Sequence, residues 1–120
     1  CTHPCEKECE RGKVDQPIAI RALKRFMADY ERQHGRQKAT PVEKTKQETV
    51  AVIGSGPAGI ACAYDLVSKG YPVTVFEASP KAGGMLRYAI PDYRLPKSIV
   101  DSEISYVQAL GAEIKTNTPV

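Results

Sequence analysis

Residues 49–77 read TVAVIGSGPAGIACAYDLVSKGYPVTVFE. TVAVIG is a short β-branched apolar run, PAGIACAYDLVSKG is alanine-rich and stops at Gly70, and PVTVFE is a second β-branched run. Strand, helix and strand in that order predict a βαβ unit. Gly54, Gly56 and Gly59 stand at the first junction. Such glycines allow a tight turn at the first position, backbone access for a diphosphate at the second, and close helix-to-strand packing at the third. The helix start adds free N–H groups and the positive end of the macrodipole. Pro57 costs little there, because its missing N–H falls among those a first helical turn leaves unpaired.

The glycines also find an acid. Glu77 ends the second run 23 residues after Gly54, where a carboxylate accepts hydrogen bonds from an ADP ribose and repels a 2′-phosphate, which disfavours NADP at this site. The bland alternative is a glycine turn beside a surface glutamate, and it leaves the strand, turn, helix and strand in register unexplained. FAD and NAD both present an ADP half, so the glycines alone do not choose between them.

Beyond Glu77 come the glycine pair Gly83 and Gly84 in SPKAGGM, an irregular stretch YAIPDYRLP, and KSIVDSEISYVQALG. Ile99, Val100, Ile104, Val107 and Leu110 give the last segment a helical apolar face closing at Gly111, and AEIKTNT reads as a short further strand. Before residue 49, residues 15–34 place Ile20, Leu23, Met27 and Tyr30 at steps of three, four and three. That spacing predicts an amphipathic helix, with Asp15 or Gln16 as cap, Pro17 in the first turn and Gly35 at the end. RQKATPVEKTKQE, residues 36–48, is polar with one proline and reads as a surface linker at a domain boundary. The expected organisation is a helical segment over 1–35, a linker over 36–48 and an α/β, Rossmann-like domain over 49–120.

A chain of 120 residues suffices for one modest domain with an appended piece and is too short for a complete two-substrate oxidoreductase. It starts with cysteine and closes without a helix or charged tail, so it reads as part of a longer protein. Hydrophobic residues at 42% and charged residues at 26% fit a globular protein and are too polar for a bilayer span. No targeting segment is visible, which makes the cytoplasm the default compartment and a membrane an unexpected partner. The net charge of +3 sits in residues 1–49, with 11 Lys or Arg against 8 Asp or Glu. Those charges are interleaved without aromatic stacking partners, so a solvated helical surface is expected there, not a nucleic-acid face.

CTHPCEKEC, residues 1–9, sets Cys1, Cys5 and Cys9 four apart. Thiolates suit iron–sulfur clusters or zinc, which usually take four ligands. An odd number of clustered cysteines cannot pair off as disulfides, and the inferred compartment is reducing. His3 is a candidate fourth ligand for zinc, although Pro4 constrains how the chain could fold both onto one metal. Cys62, three residues past Gly59 in the first helix, is expected to face the sheet as a packing residue.

VAVIGSGPAGIACAYDLVSKGYPVTVFEASPKAGGMLRYAIPDYRLPK and CEKECERGKVDQPIAIRALKRF together resemble the iron–sulfur and FAD-binding half of the glutamate synthase small-subunit family, to which a domain of dihydropyrimidine dehydrogenase is related. GPAG with the later GG and IPxxRLP makes the likeness more specific than the glycines alone. The resemblance implies that Gly54, Ser55, Gly56, Pro57, Ala58 and Gly59 cradle the FAD diphosphate and that Glu77 holds the ribose. It brings Gly83, Gly84, Met85 and Leu86 close to the cofactor, Arg94 to its phosphates or flavin end, and main-chain groups at Val120 to the adenine. Cys1 and Cys5 would serve one 4Fe-4S cluster and Cys9 another, the remaining ligands lying upstream. Two departures stand out: Ala89 replaces a frequent glycine, and Lys24 stands where relatives can offer Gln or Glu to a cluster.

The resemblance implies a flavoprotein oxidoreductase subunit, inactive as this piece alone, that moves electrons between NAD(P)H, FAD and 4Fe-4S clusters to a partner subunit or domain. NAD(P)H would bind a second Rossmann unit outside these residues. The alternatives are a non-catalytic electron-transfer or assembly module that merely holds FAD and clusters, and an NAD-dependent dehydrogenase domain with a zinc site. No acid, base or nucleophile is needed from residues 1–120, and none is apparent. The final acceptor and the choice of NADH or NADPH are not written in them.

Overall fold

The computed structural model describes residues 2–35 and 39–120, and divides into two compact units, residues 1–38 and 39–120. The first unit contains a short helix α1 (Pro4–Lys7), a 3-10 turn (Glu10–Lys13) and helix α2 (Ile20–His34). The second runs β1 (Val50–Ile53), α3 (Pro57–Ser68), β2 (Val73–Phe76), α4 (Met85–Tyr88), α5 (Lys97–Leu110) and β3 (Glu113–Lys115).

Helix α2 starts at Ile20, later than the Pro17 signal suggests, and neither Asp15 nor Gln16 caps it. Its cap comes from upstream: the Glu6 carboxylate accepts the Arg21 N–H at 2.8 Å. A carboxylate at a helix N-terminus satisfies an otherwise orphaned donor and meets the positive end of the macrodipole, so a contact 15 residues away in sequence overrides the local signal. Gly35 closes the helix with φ 98°, a conformation glycine adopts without penalty. Glu6→Ala is expected to cost this helix about 1 kcal/mol, read as a loss of far-UV helical signal on heating that Glu6→Gln restores in part. The apolar stripe of α2 is present as spaced, yet Leu23, Phe26, Met27 and Tyr30 are all more than half exposed, and no residue of α2 is buried.

In the second unit the three strands are parallel in the order β1-β2-β3. Val52 is level with Val75, and Val75 with Ile114. Val52, Val73 and Val75 therefore share one face, which buries against Ala63 and Val67 of α3 and Val107 and Leu110 of α5. Both crossover helices cover that face. The other face leaves Ile53 61% exposed. A second small cluster, Ala82, Val100 and Ile104, fastens the loop after β2 to α5.

Residues 39–48 form no helix or strand, but part of the stretch is bound to the second unit. Val42 donates its N–H to Leu110 O at 2.9 Å, Lys46 to Gly70 O at 3.1 Å, and Ala39 and Val42 pack against the core. Cys62 does not face the sheet. It is exposed, because the helical phase turns Ala63 and Val67 inward. A single helical turn, α4 (Met85–Tyr88), follows Gly84 and meets the irregular stretch YAIPDYRLP only at Tyr88.

Candidate functional site: a glycine turn clasped by a second glycine loop

Gly54 leaves β1 with φ 87° and bonds its N–H to Phe76 O at 2.8 Å, so the chain turns over the end of β2. Only glycine takes that angle cheaply. Gly59, in the first turn of α3, sits so close to this turn that a Cβ would fall 2.0 Å from Gly54 O. The helix reaches the strand because position 59 has no side chain. Gly56 differs, being the N-cap of α3 with φ −66°, an ordinary angle, and a Cβ there would meet nothing within 4 Å. A Cβ on Gly54 would likewise enter open space. The open side lies where α3 begins, with Pro57 in the first turn and no side-chain cap on the following N–H groups. A cradle left empty by missing side chains, floored by helix N–H groups, fits a diphosphate.

The second glycine loop closes on the first. Gly83 and Gly84 have φ 127° and 50°, and a Cβ on Gly84 would lie 2.9 Å from the Cα of Gly56. Ser55, wholly buried, joins the two loops, its hydroxyl donating to Glu77 Oε2 while accepting the Gly83 N–H at 2.9 Å. Ser55 N–H donates to the same carboxylate oxygen at 2.9 Å, and Ser79 N–H donates to Glu77 Oε1 at 2.8 Å. Glu77 is 6% exposed. The Ser55 hydroxyl, aided by the Ser79 and Ser55 N–H groups, outweighs burial and holds the Glu77 carboxyl at about 2, below its ordinary 4.5. This carboxylate is ionised at neutral pH.

Two further side chains brace the second loop. Arg87 donates Nε–H to Ala82 O at 2.7 Å and pairs with Asp101, its side chain only 9% exposed. Lys97 donates to the carbonyl of Ile90 and lies 3.4 Å from Asp92. Arg87 and Asp101 also line a groove of about 480 Å³ with Lys81, Ser105, Gln108 and Thr116. Arg87 and Asp101 satisfy each other there. The remaining expected contacts are dispersed. Met85 is 67% exposed, Leu86 packs toward Ala82 and Val100, and Arg94 and Val120 are exposed without side-chain bonds to either glycine turn. Ser79 and Lys97 had no motif to announce them, since each acts on a backbone or carboxylate that only the fold brings near.

In the first unit, Cys5 is exposed on α1 and Cys9 half-buried at the start of the 3-10 turn, while Cys1 lies outside the described residues. Backbone N–H groups of Ile18, Arg11 and Gly12 lower the Cys9 thiol from its usual range, which favours the ligating thiolate. His3 Nδ1 lies 3.2 Å from Glu6 Oε2. Among the described residues no group of three His, Cys, Asp or Glu side chains could hold a metal ion. Nor is any described helix long and apolar enough to cross a membrane.

Known oxidoreductases share much of this sequence. The chain is 47% identical over its full length to the NADP(+)-dependent formate dehydrogenase subunit beta of Moorella thermoacetica, spanning 20% of that protein. It is 43% identical over 97% of its length to the NAD-dependent dihydropyrimidine dehydrogenase subunit PreT homolog of Salmonella typhi, spanning 28% of it. With glutamate synthase [NADH] of Saccharomyces cerevisiae the identity is 41% over the whole chain, which is 6% of that protein. The chain thus corresponds to well under a third of the length of these oxidoreductases and oxidoreductase subunits. Residues 52–113, the span from β1 into β3 that contains both glycine turns and Glu77, match the family model described as NAD(P)-binding Rossmann-like domain, and the chain belongs to that family.

Proposed function

We propose that this chain is the part of an NAD(P)H-dependent flavoprotein oxidoreductase that binds the ADP half of FAD, preceded in sequence by a cysteine segment contributing 4Fe-4S ligands. The observation that carries the reading is the open cradle over Gly54 and Gly56 at the start of α3, with Gly84 against Gly56. FAD, once bound, supplies the exchange between two-electron and one-electron carriers. The residues here bind and orient it. The N–H groups of the first turn of α3 meet the diphosphate. Glu77, held at the end of β2 by Ser55 and Ser79, presents its carboxylate to the ribose. An ionised carboxylate in that place repels a 2′-phosphate, which disfavours NADP at this turn; in this reading FAD binds here, with NAD(P)H on a second domain and electrons leaving to a partner subunit.

Cys1 and Cys5 would serve one cluster and Cys9 the other, completed by cysteines elsewhere in the protein. The thiolate-favouring N–H groups around Cys9 support this.

Titration with FAD tests the proposal. Saturable uptake of a chromophore absorbing near about 450 nm, released on denaturation, is expected. Tight NAD binding without FAD binding would overturn it. Iron and acid-labile sulfide measured on the same chain are expected well below one 4Fe-4S per molecule, because such a cluster takes about four thiolates. Stoichiometric zinc in place of iron would refute the cluster assignment.

A further inference from the structure

We propose that Ser55 is a positioning residue, whose buried hydroxyl sets the spacing between the glycine turn and the Gly83–Gly84 loop and thereby the shape of the diphosphate cradle. The inference rests on the reading of that cradle as a dinucleotide site.

A buried serine ordinarily satisfies itself on nearby backbone. Ser55 does not: its hydroxyl accepts from Gly83 N–H, 28 residues on, and donates to Glu77, 22 residues on. It is wholly buried, so its side chain cannot itself touch a ligand. The loop it holds has little rigidity of its own, because two successive glycines at positive φ have the widest conformational choice of any residues. Arg87 pins Ala82 and the Tyr88 hydroxyl reaches Lys81 O at 3.2 Å, so the loop is tied on its Ala82 side. At Gly83 the tie is Ser55. Gly83 O and Gly84 O accept N–H groups of Leu86, Arg87 and Tyr88 in α4, but the Ser55 hydroxyl is the bond that joins this loop to the first glycine turn, and without it the cradle wall loses that connection. Oxygen is required, since one atom must donate and accept at once.

Ser55→Ala, made in the whole chain, removes both functions and leaves the Ser55 N–H bond to Glu77. The Gly83 amide is expected to exchange with solvent at least about tenfold faster while amides of β1 and β2 keep their protection, and FAD is expected to bind about tenfold more weakly, the loss for one buried donor without an acceptor. Ser55→Thr, which keeps the hydroxyl, should retain both properties. Unchanged Gly83 exchange in Ser55→Ala overturns the proposal, as does a uniform rise in exchange across β1 and β2 with FAD affinity intact, because Ser55 would then only stabilise the fold. If the parent chain takes up no FAD, the dinucleotide reading fails separately, and the Gly83 exchange rate alone decides whether Ser55 holds the loop.

Discussion

Gly56→Ala is expected to fold as the parent does and to lose most of its affinity for FAD, whereas Gly59→Ala is expected to lose the fold's stability as well. The two glycines stand three residues apart in one motif, yet the space around them differs. At Gly56 a methyl group meets nothing within 4 Å and φ is −66°, so the folded protein has no objection to alanine. A stability change within about 1 kcal/mol, in the favourable direction, is the expectation for such a substitution. That methyl, however, projects into the cradle and keeps a diphosphate off the N–H groups of α3. Charge-assisted hydrogen bonds of that kind are worth about 1.5–3 kcal/mol each, so a weakening of about 10- to 100-fold is expected. At Gly59 the methyl would lie 2.0 Å from Gly54 O. Backbone cannot step aside as a flexible side chain does, and α3 must move off the strand. A cost of about 3 kcal/mol or more is expected, equivalent to a fall of roughly 12 °C or more in Tm for a domain of this size. Thermal denaturation and FAD titration of the two variants separate these effects. Gly56→Ala binding FAD like the parent would remove the cradle from the functional site.

The same contrast shows what could be read from the residues and what could not. The strand, helix and strand over residues 49–77 were legible because two β-branched runs favour strand while Gly54 and Gly59 mark a turn and a close approach only glycine allows, and the fold grants all of them. The apolar face of α5 was legible for the same reason: Val100, Ile104, Val107 and Leu110 are its buried residues. Cys62 was misplaced because alanines on both sides of it make the phase of α3 ambiguous. Only packing shows that Ala63 is the inward one. The start of α2 was misplaced because its cap, Glu6, lies in another element. The partner of Glu77 was also hidden. Its position at the end of β2 was evident, but a hydroxyl 22 residues earlier determines where its oxygens go. Local pattern fixes elements, and bonds between distant loops fix the shape of the site.

Acid is expected to weaken that site only as pH falls toward about 2, where the folded protein protonates Glu77. Donors from Ser55 and Ser79 keep Glu77 ionised, and its carboxyl is held at about 2, against an ordinary 4.5. A carboxylate whose affinity for protons is lower in the folded state contributes stability fully above its unfolded value and loses it as pH falls toward the folded one. The relevant window is therefore between pH 4.5 and about 2. At about 1.4 kcal/mol for each tenfold change in proton affinity, the contribution at neutral pH is roughly 3 kcal/mol. Glu77→Gln keeps the size of the side chain but replaces one acceptor with an NH2 group, which then faces a donor from Ser55 or Ser79. The variant is expected to be less stable than the parent by roughly 3 kcal/mol at pH 7, and the gap should close steadily as pH falls through the window, because protonation does to the parent what the substitution did to the variant. Urea midpoints of both proteins at several pH values measure this directly. Parallel curves across the window would show that the carboxylate's charge contributes nothing and that Ser55 and Ser79 serve an uncharged group equally well. FAD affinity of the folded protein should fall only as pH nears about 2, where its own Glu77 takes a proton. When Glu77 takes a proton it gives up acceptor capacity on the oxygens that hold Ser55, and through Ser55 the Gly83–Gly84 loop, so the ribose contact and the cradle wall weaken together. A ligand held only by the N–H groups of α3 would not show that dependence on a single carboxyl, and the Glu77→Gln variant should have lost it.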